Sequence, residues 1–485
     1  ALVVRSETRV TADLMGRAPR LRVIARAGTG VDTIDVHAAT RRGIAVMNAP
    51  GANTVSAAEH ALGLLLALVR HIPWAAEAMR RGEWDRKRFE GTELRGKTIG
   101  VVGLGRIGGH VAQIARAFGM TVVAHDPFVT TDRAVELGVK LVPLEQLLRT
   151  ADVVTLHLAL TDQTRHLINA ERLRLMKPTA VLINTARGEL VDELALAEAL
   201  REQRIAGAAI DVFGIEPLPG DSPLRTLDRV ILTPHLAAST AEAQERVAVE
   251  ICTAVRDALL EDDLSSAVNI PGITGDQLRR HRTLLALARR LGRLAGALVD
   301  GPVTGVEVAY GGRDESAPRP VQLAALEGLL AVGADQPVSL VNAQMIAEER
   351  GIRVARRTGG PEGGFETTVA VAVEAGPGRA RVVGALAGNG DGRVVGIDEH
   401  SVDIAPTGWM LVVRNRDVPG VIGRVGTVLG RAGVNIGSYH QARRVVGDEE
   451  ALAAITVDQP LTDGVLEELR RLPDVREVRL ASFGD

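Results

Sequence analysis

Ile99-Gly-Val-Val-Gly103-Leu-Gly105-Arg-Ile-Gly108 stands between an apolar, β-branched run and a stretch of helical periodicity that reaches about Gly119. In that setting a G-x-G-x-x-G sequence has a physical meaning. The first glycine makes the tight turn, the second lets a pyrophosphate approach the backbone, and the third lets helix and strand pack closely. The helix amino terminus adds free N–H donors and a positive partial charge. Asp126 ends the next run, 23 residues beyond Gly103. A carboxylate there accepts hydrogen bonds from an adenosine ribose and repels a 2′-phosphate, and Pro127 and Phe128 supply no compensating cation. NAD is therefore expected rather than NADP. A purely structural turn, or a flavin- or SAM-binding variant of the same turn, is the alternative.

Outward from this turn, β-rich runs at residues 99–103, 121–125, 152–158, 180–184, 208–213 and 230–233 alternate with amphipathic stretches of helix length. The alternation predicts a Rossmann-type, doubly wound α/β fold, and the continuous apolar character of the runs predicts strands buried on both faces. Before this block, residues 56–70 read as a helix with Thr54 or Ser56 as its cap and Glu59 in its first turn; after it, Ser239 or Thr240 can cap a helix to about Leu260. Ser, Asp, Asn and Pro interrupt the pattern at residues 262–271, which predicts a domain boundary. A Leu- and Arg-rich helix over 277–298, alternating strands and a helix near 321–330 predict a mixed α/β region to about Pro406. Residues 409–485 read strand, turn, helix, strand, strand, helix, strand, a ferredoxin-like order.

Composition narrows the partners. At 485 residues the chain has room for several cores. Its 57 basic and 60 acidic side chains leave a formal charge of −3, so no net field draws it onto phosphate backbones or anionic lipid. With three Trp, two Tyr and six Phe, platforms for stacking bases are scarce, and nucleic acid is not expected as a partner. The longest apolar stretch, 61–69, falls short of the roughly 20 residues of a membrane helix, and the amino terminus lacks a basic region followed by an apolar core. A cytoplasmic protein without membrane contact is expected. The single cysteine, Cys252, excludes an intrachain disulfide and a Cys-rich zinc site; a buried, inert thiol and no metal are expected. The chain opens on Ala1-Leu-Val-Val-Arg-Ser, a strand-like run expected to lie inside a domain.

Open parallel sheets bind ligands beyond the carboxyl ends of their strands, and three further runs end there in polar groups. Residues 180–184 lead into Thr185-Ala-Arg187-Gly188, where a guanidinium can hold a carboxylate through two parallel hydrogen bonds. Residues 208–213 lead into Glu216-Pro217, and 230–233 into Pro234-His235. Hydride transfer from an alcohol carbon needs a base for the hydroxyl proton, and His exchanges protons nearest neutral pH. A carboxylate on that His would fix its tautomer. Arg187, Glu216 and His235 are the expected catalytic residues.

Gly103 to Gly108, Asn184-Thr-Ala-Arg-Gly-Glu-Leu-Val-Asp192, Asp211-Val-Phe-Gly-Ile-Glu-Pro217 and Thr233-Pro-His-Leu-Ala-Ala-Ser-Thr240 resemble the D-2-hydroxyacid dehydrogenase family. Arg26-Ala-Gly-Thr-Gly-Val-Asp32 and Arg86-Lys-Arg-Phe-Glu-Gly-Thr-Glu-Leu94 narrow the resemblance to members that oxidise D-3-phosphoglycerate to 3-phosphohydroxypyruvate with NAD, the first step of L-serine biosynthesis. The resemblance implies that Gly103, Gly105, Arg106, Ile107, Gly108, Asp126, Thr185, Ala186, Arg187, Asp211, His235, Ala237 and Ala238, with Thr29, line the cofactor pocket, Asp211 near the nicotinamide carboxamide. It implies Arg187, Arg5, Arg86 and Lys87, beside Arg88, as substrate contacts; a solvated charged turn is the alternative for residues 86–88. Leu158 stands where relatives often have Thr, and Glu7 where some carry a second Arg. Relatives carry a further leading segment of the substrate domain, so a truncated start is expected. A glyoxylate or hydroxypyruvate reductase, and a non-catalytic NAD-sensing corepressor, are the competing readings.

The resemblance divides the chain into a discontinuous, flavodoxin-like substrate domain (1–50 and 236–265), a cofactor domain (51–235), an intervening domain of allosteric substrate-binding type (270–406) and an ACT domain (409–485). Leu411-Val-Val-Arg-Asn-Arg-Asp417-Val-Pro-Gly420 and Gly433-Val-Asn435 carry the last of these. In relatives, paired ACT domains bind L-serine, which implies Asn415, Asp417 and Asn435 as effector contacts and a homo-oligomer, dimer or tetramer. An ACT pair that only holds the oligomer together is the alternative.

Overall fold

The structure, a computed structural model, describes residues 1–5, 7–270, 272–332, 334, 337–388, 390–443 and 450–484. By its internal contacts the chain forms two units, Ala49–Glu250 and a second made of Ala1–Asn48 with Ile251–Asp485.

The second unit opens with β1 (Leu2–Val4), β2 (Val23–Arg26) and β3 (Ala45–Asn48), parallel and in the order β1-β2-β3.

In the unit Ala49–Glu250, β4 (Thr98–Val102), β5 (Thr121–His125), β6 (Lys140–Leu141), β7 (Val153–Leu156), β8 (Val181–Asn184), β9 (Gly207–Ile210) and β10 (Val230–Leu232) form one sheet. Its order is β10-β9-β8-β7-β4-β5-β6, parallel throughout, so β4 lies at the point where the winding reverses. Strands β7, β8 and β9 are buried at every position, as their unbroken apolar runs require. Helix Thr54–Val69 buries Ala57, Ala61, Leu64, Leu65 and Leu68 on one stripe. It starts earlier than expected. Thr54 is its first residue, so Asn53 is the cap, while the Ser56 hydroxyl lies 2.8 Å from that of Thr240. Thr240 Oγ1 in turn accepts from Ala243 N–H at the start of Ala241–Leu260.

On that helix, Ala243, Val247, Ile251 and Ala258 are buried, three or four residues or multiples of a turn apart. Cys252 stands one residue round from this stripe and is exposed, which corrects the expected buried thiol.

Beyond it, the expected helix 277–298 is two helices, Gly275–Arg280 and Arg282–Ala297, broken at the buried His281, whose ring lies 3.0 Å from the Ser316 hydroxyl. Helices Arg282–Ala297 and Pro318–Leu330 cover one face of a six-stranded sheet: β11 (Val303–Gly311), β12 (Arg353–Gly359), β13 (Thr368–Ala375), β14 (Gly378–Leu386), β15 (Gly392–Ile397) and β16 (His400–Ile404), in the order β12-β11-β13-β14-β15-β16. Val23, Ala25, Ala45 and Met47 of the first sheet join the same hydrophobic cluster as Ile270, Leu278 and Leu340, so residues expected in two separate domains share one core. Residues 262–270, where a boundary is expected, are irregular chain between the helices Ala241–Leu260 and Gly275–Arg280, with Ala267 bridged to Met47; Pro271 lies outside the described residues.

Finally β17 (Trp409–Arg416), helix Val421–Arg431, β18 (Ile436–Arg443), β19 (Glu450–Val457), helix Asp463–Arg470 and β20 (Val475–Ser482) give the antiparallel sheet β18-β19-β17-β20, the ferredoxin-like arrangement.

Candidate active site

The turn after β4 is held by its own geometry. Gly103 has φ +92°, and a Cβ on it would stand 2.5 Å from the His157 carbonyl oxygen; one on Gly108 would stand 2.0 Å from the Gly103 oxygen. A side chain at either position would separate the strand from the helix Arg106–Ala117. Gly105 differs: nothing lies within 4 Å of its would-be Cβ, so open space faces the helix amino terminus. Asp126 braces the turn, accepting from Leu104 N–H and Phe128 N–H at 2.8 Å each. His157, at the end of the neighbouring strand, is driven by burial down to about 4, so a neutral ring stands beside the turn.

Arg187 follows β8 and Gly188 follows it, where a Cβ would come within 1.9 Å of the Phe213 carbonyl carbon. Only glycine lets the loop after β9 pass this close. That loop carries Glu216, whose Oε1 accepts from Phe213 N–H at 3.1 Å and whose Oε2 lies 2.9 Å from His235 Nδ1. The hydrogen bond from Glu216 raises the His235 pKa above the ordinary imidazole value, burial opposes it, and Asp211 adds to the rise while Arg187 subtracts. Burial works against the Glu216 carboxylate, but His235 and Phe213 N–H hold its pKa below the usual range. Both side chains keep about two fifths of their surface open.

His235 itself has φ +54°, a left-handed conformation costly for a residue with a Cβ. Its N–H donates to the Asp211 carbonyl oxygen at 2.8 Å. The Asp211 side chain, with no exposed surface, accepts from the Thr233 hydroxyl (2.6 Å), Leu236 N–H (2.8 Å) and Ala237 N–H (3.0 Å), and lies 3.1 Å from His60 Nε2. Burial works against its charge, yet His60, Thr233 and Leu236 N–H keep its pKa below the usual carboxylate value. Strain of about 1–3 kcal/mol at one residue is small against a sheet in which each fully buried Val, Ile or Leu contributes about 1.5–3 kcal/mol.

Among the other expected residues, Thr185 is buried with its hydroxyl unpartnered inside the protein, Ala186 and Ala238 are half-buried, and Ala237 is buried. Arg106 and Ile107 open the helix after the turn, with Arg106 exposed. Thr29 follows β2 in the other unit, where its carbonyl oxygen accepts from Asn48 Nδ2, and Arg5 is exposed just after β1. Arg86 and Lys87 lie in an exposed turn; Asp85 Oδ1 accepts from Lys87 N–H and Arg88 N–H, and Arg88 pairs with Glu83 at 3.5 Å. Asn415 is buried on β17, its amide donating to the Arg416 carbonyl oxygen. Asp417 pairs with Arg443 at 2.8 Å, and exposed Asn435 donates to Asp458 at 2.7 Å. Residues 444–449, beside Arg443, lie outside the described residues.

Sequence reasoning passed over His60. The signal was available: it falls four residues after Ser56 and four before Leu64, both buried, so a titratable ring lies on the inward side of an apolar helix.

The open face over Gly105, the helix amino terminus behind it, Asp126 at the second strand and the unpartnered Thr185 hydroxyl fit a dinucleotide. The model of the D-isomer specific 2-hydroxyacid dehydrogenase NAD binding domain matches residues 62–237, that of the D-3-phosphoglycerate dehydrogenase intervening domain 280–398, and that of the ACT domain 409–474. The chain is 44% identical to the D-3-phosphoglycerate dehydrogenase of Synechocystis over 98% of its own length and 86% of the relative's, and 42% identical to that of Methanocaldococcus jannaschii over 99% and 92%. Among solved structures, it is similar to the D-lactate dehydrogenase of Aquifex aeolicus in complex with NAD and lactic acid, with a TM-score of 0.51 and 34% identity over 54% of this chain and 84% of that one.

Proposed function

The chain belongs to the D-3-phosphoglycerate dehydrogenases of the D-isomer specific 2-hydroxyacid dehydrogenase family, and from that premise we propose that Arg187, Glu216 and His235 carry its reaction. It is an NAD-dependent oxidoreductase that converts D-3-phosphoglycerate to 3-phosphohydroxypyruvate, the step that opens L-serine biosynthesis. The observation that carries the assignment is the 2.9 Å contact between His235 and Glu216 at the strand ends.

NAD would be held by the turn Gly103–Gly108 and by Asp126, and when bound it supplies the hydride acceptor. Because Glu216 engages Nδ1, Nε2 is the nitrogen left for the substrate, and it takes the hydroxyl proton as the C–H bond is lost and the carbonyl forms. Glu216 stabilises the resulting imidazolium and fixes the ring. Arg187 holds the substrate carboxylate and polarises the nascent carbonyl. Arg5, Arg86 and Lys87 bind the phosphate, and Thr29, Arg106, Ile107, Thr185, Ala186, Ala237 and Ala238 line the cofactor pocket.

Around this site the proposal keeps a substrate domain made of 1–50 and 236–265, a cofactor domain of 51–235, and intervening and ACT domains at 270–406 and 409–485. The ACT domain supports regulation by a ligand, which we assign to L-serine at Asn415, Asp417 and Asn435 of a homo-oligomer. Among the described residues no single helix is long and apolar enough to cross a membrane, and the relatives are metabolic enzymes, so we place the chain in the cytoplasm.

The test is NADH formation from 3-phosphoglycerate and NAD beside glycerate and 2-hydroxyglutarate. A preference for the phosphorylated acid is expected. Equal rates on the unphosphorylated acids would move the chain to a general 2-hydroxyacid dehydrogenase.

A further inference from the structure

Asp211 is a buried carboxylate at the back of the site, and its four polar neighbours come from two directions. Thr233 Oγ–H, Leu236 N–H and Ala237 N–H belong to the loop that carries His235. The fourth, His60 Nε2, belongs to the helix Thr54–Val69, 3.1 Å away and with a fifth of its side chain exposed. An ionised carboxylate only accepts hydrogen bonds, so the His60 nitrogen facing it carries a proton. The Thr233 hydroxyl spends its hydrogen on Asp211, and its oxygen, 3.4 Å from the same His60 nitrogen, completes a closed set of contacts.

The loop fastened in this way is the strained one. Left-handed backbone at His235 persists only where its surroundings over-determine it, and Asp211 does so twice, through its carbonyl oxygen to His235 N–H and through its carboxylate to the next two N–H groups. Remove the donor on the helix side, and the carboxylate is held from one direction only, by the loop it anchors.

We propose that His60 is a positioning residue for the acid/base His235: by donating to the Asp211 carboxylate it fixes the group that anchors the turn on which His235 stands. The proposal rests on the role given to His235 above. It has an electrostatic corollary. The charged groups acting on His235 are Glu216, Asp211 and Arg187, and the first two favour the imidazolium. Without His60, the Thr233 hydroxyl, Leu236 N–H and Ala237 N–H still hold Asp211 as a carboxylate, but one fewer donor offsets its charge, so His235 keeps its proton to higher pH.

Two variants test this. His60→Ala removes the donor; His60→Gln places an amide N–H where Nε2 stood. Titration of His235 is read in the cofactor-free protein from the pH dependence of its carbethoxylation, followed by peptide mass spectrometry, and separately from the acid limb of kcat for 3-phosphoglycerate oxidation. The Ala variant is expected to titrate at higher pH than wild type and to lose about ten- to a hundredfold in kcat with KM little changed, as a misplaced catalytic group does. The Gln variant is expected to restore both. A wild-type His235 titration in the Ala variant overturns the proposal, and so does a Gln variant as impaired as Ala. Failure of the underlying reading looks different: wild-type protein would not oxidise 3-phosphoglycerate, while the carbethoxylation comparison would stand.

Discussion

His235 Nδ1 lies 2.9 Å from Glu216 Oε2, and the second oxygen of that carboxylate is taken by Phe213 N–H, so the pair is fixed from both sides. Glu216 raises the His235 pKa, with burial opposing. Oxidation needs the neutral ring, so it is present above that raised pKa and is lost as pH falls through it; reduction of the keto acid shows the opposite limb. In Glu216→Gln the imidazolium loses its partner and the acid limb of oxidation is expected at lower pH, with kcat down about a hundredfold or more. A pH profile of kcat/KM in the two directions checks both signs. An acid limb that stays where it is in the variant would detach Glu216 from His235.

Asp126 does two things at once: it is set to receive a ribose, and it ties the Gly-rich turn through Leu104 N–H. Asp126→Ser is expected to weaken NAD at least tenfold, the loss of a charge-assisted contact, and to raise the ratio of NADP to NAD use. Paired kcat/KM values for the two cofactors decide it; a ratio that does not rise removes the ribose assignment.

Gly188 passes so close to Phe213 that a methyl group has no room. Gly188→Ala is expected to cost about 1–3 kcal/mol and to displace Glu216 with the Phe213 loop. Thermal unfolding and kcat measured together should both fall. A variant as stable and active as wild type would show that the loop gives way easily.

Asn435 is exposed and donates to Asp458, whereas Asn415 is buried and donates to the Arg416 carbonyl oxygen. If L-serine binds at this edge of the ACT sheet, calorimetric titration gives saturable binding to wild type and a loss of about 1–3 kcal/mol in Asn435→Ala. Absence of heat with wild type removes the effector.

The parallel sheet was legible because its strands are buried on both faces and so read as unbroken apolar runs between punctuating turns. Gly103 to Gly108, Arg187, Glu216 and His235 were legible because each falls at the carboxyl end of such a run. What stayed hidden depends on packing between distant segments. His60 reads as one polar residue in an apolar helix, and only the fold sets it against Asp211, 151 residues on. Cys252 looked like a core thiol until the helix phase put Ile251, not its neighbour, on the inward stripe. The core shared by β2, β3 and the helices beyond Ile270 joins residues more than two hundred positions apart, and no local pattern announces it.

Since Cys252 is the chain's one cysteine and stands on the outer side of its helix, thiol oxidation has a single site. No bridge can form within the chain, so a disulfide between copies joins two Cys252 residues and gives a species of twice the mass on a non-reducing gel. A thiol-directed dye would likewise mark each copy once, at a known residue, and would let encounters between copies be counted without substituting any residue.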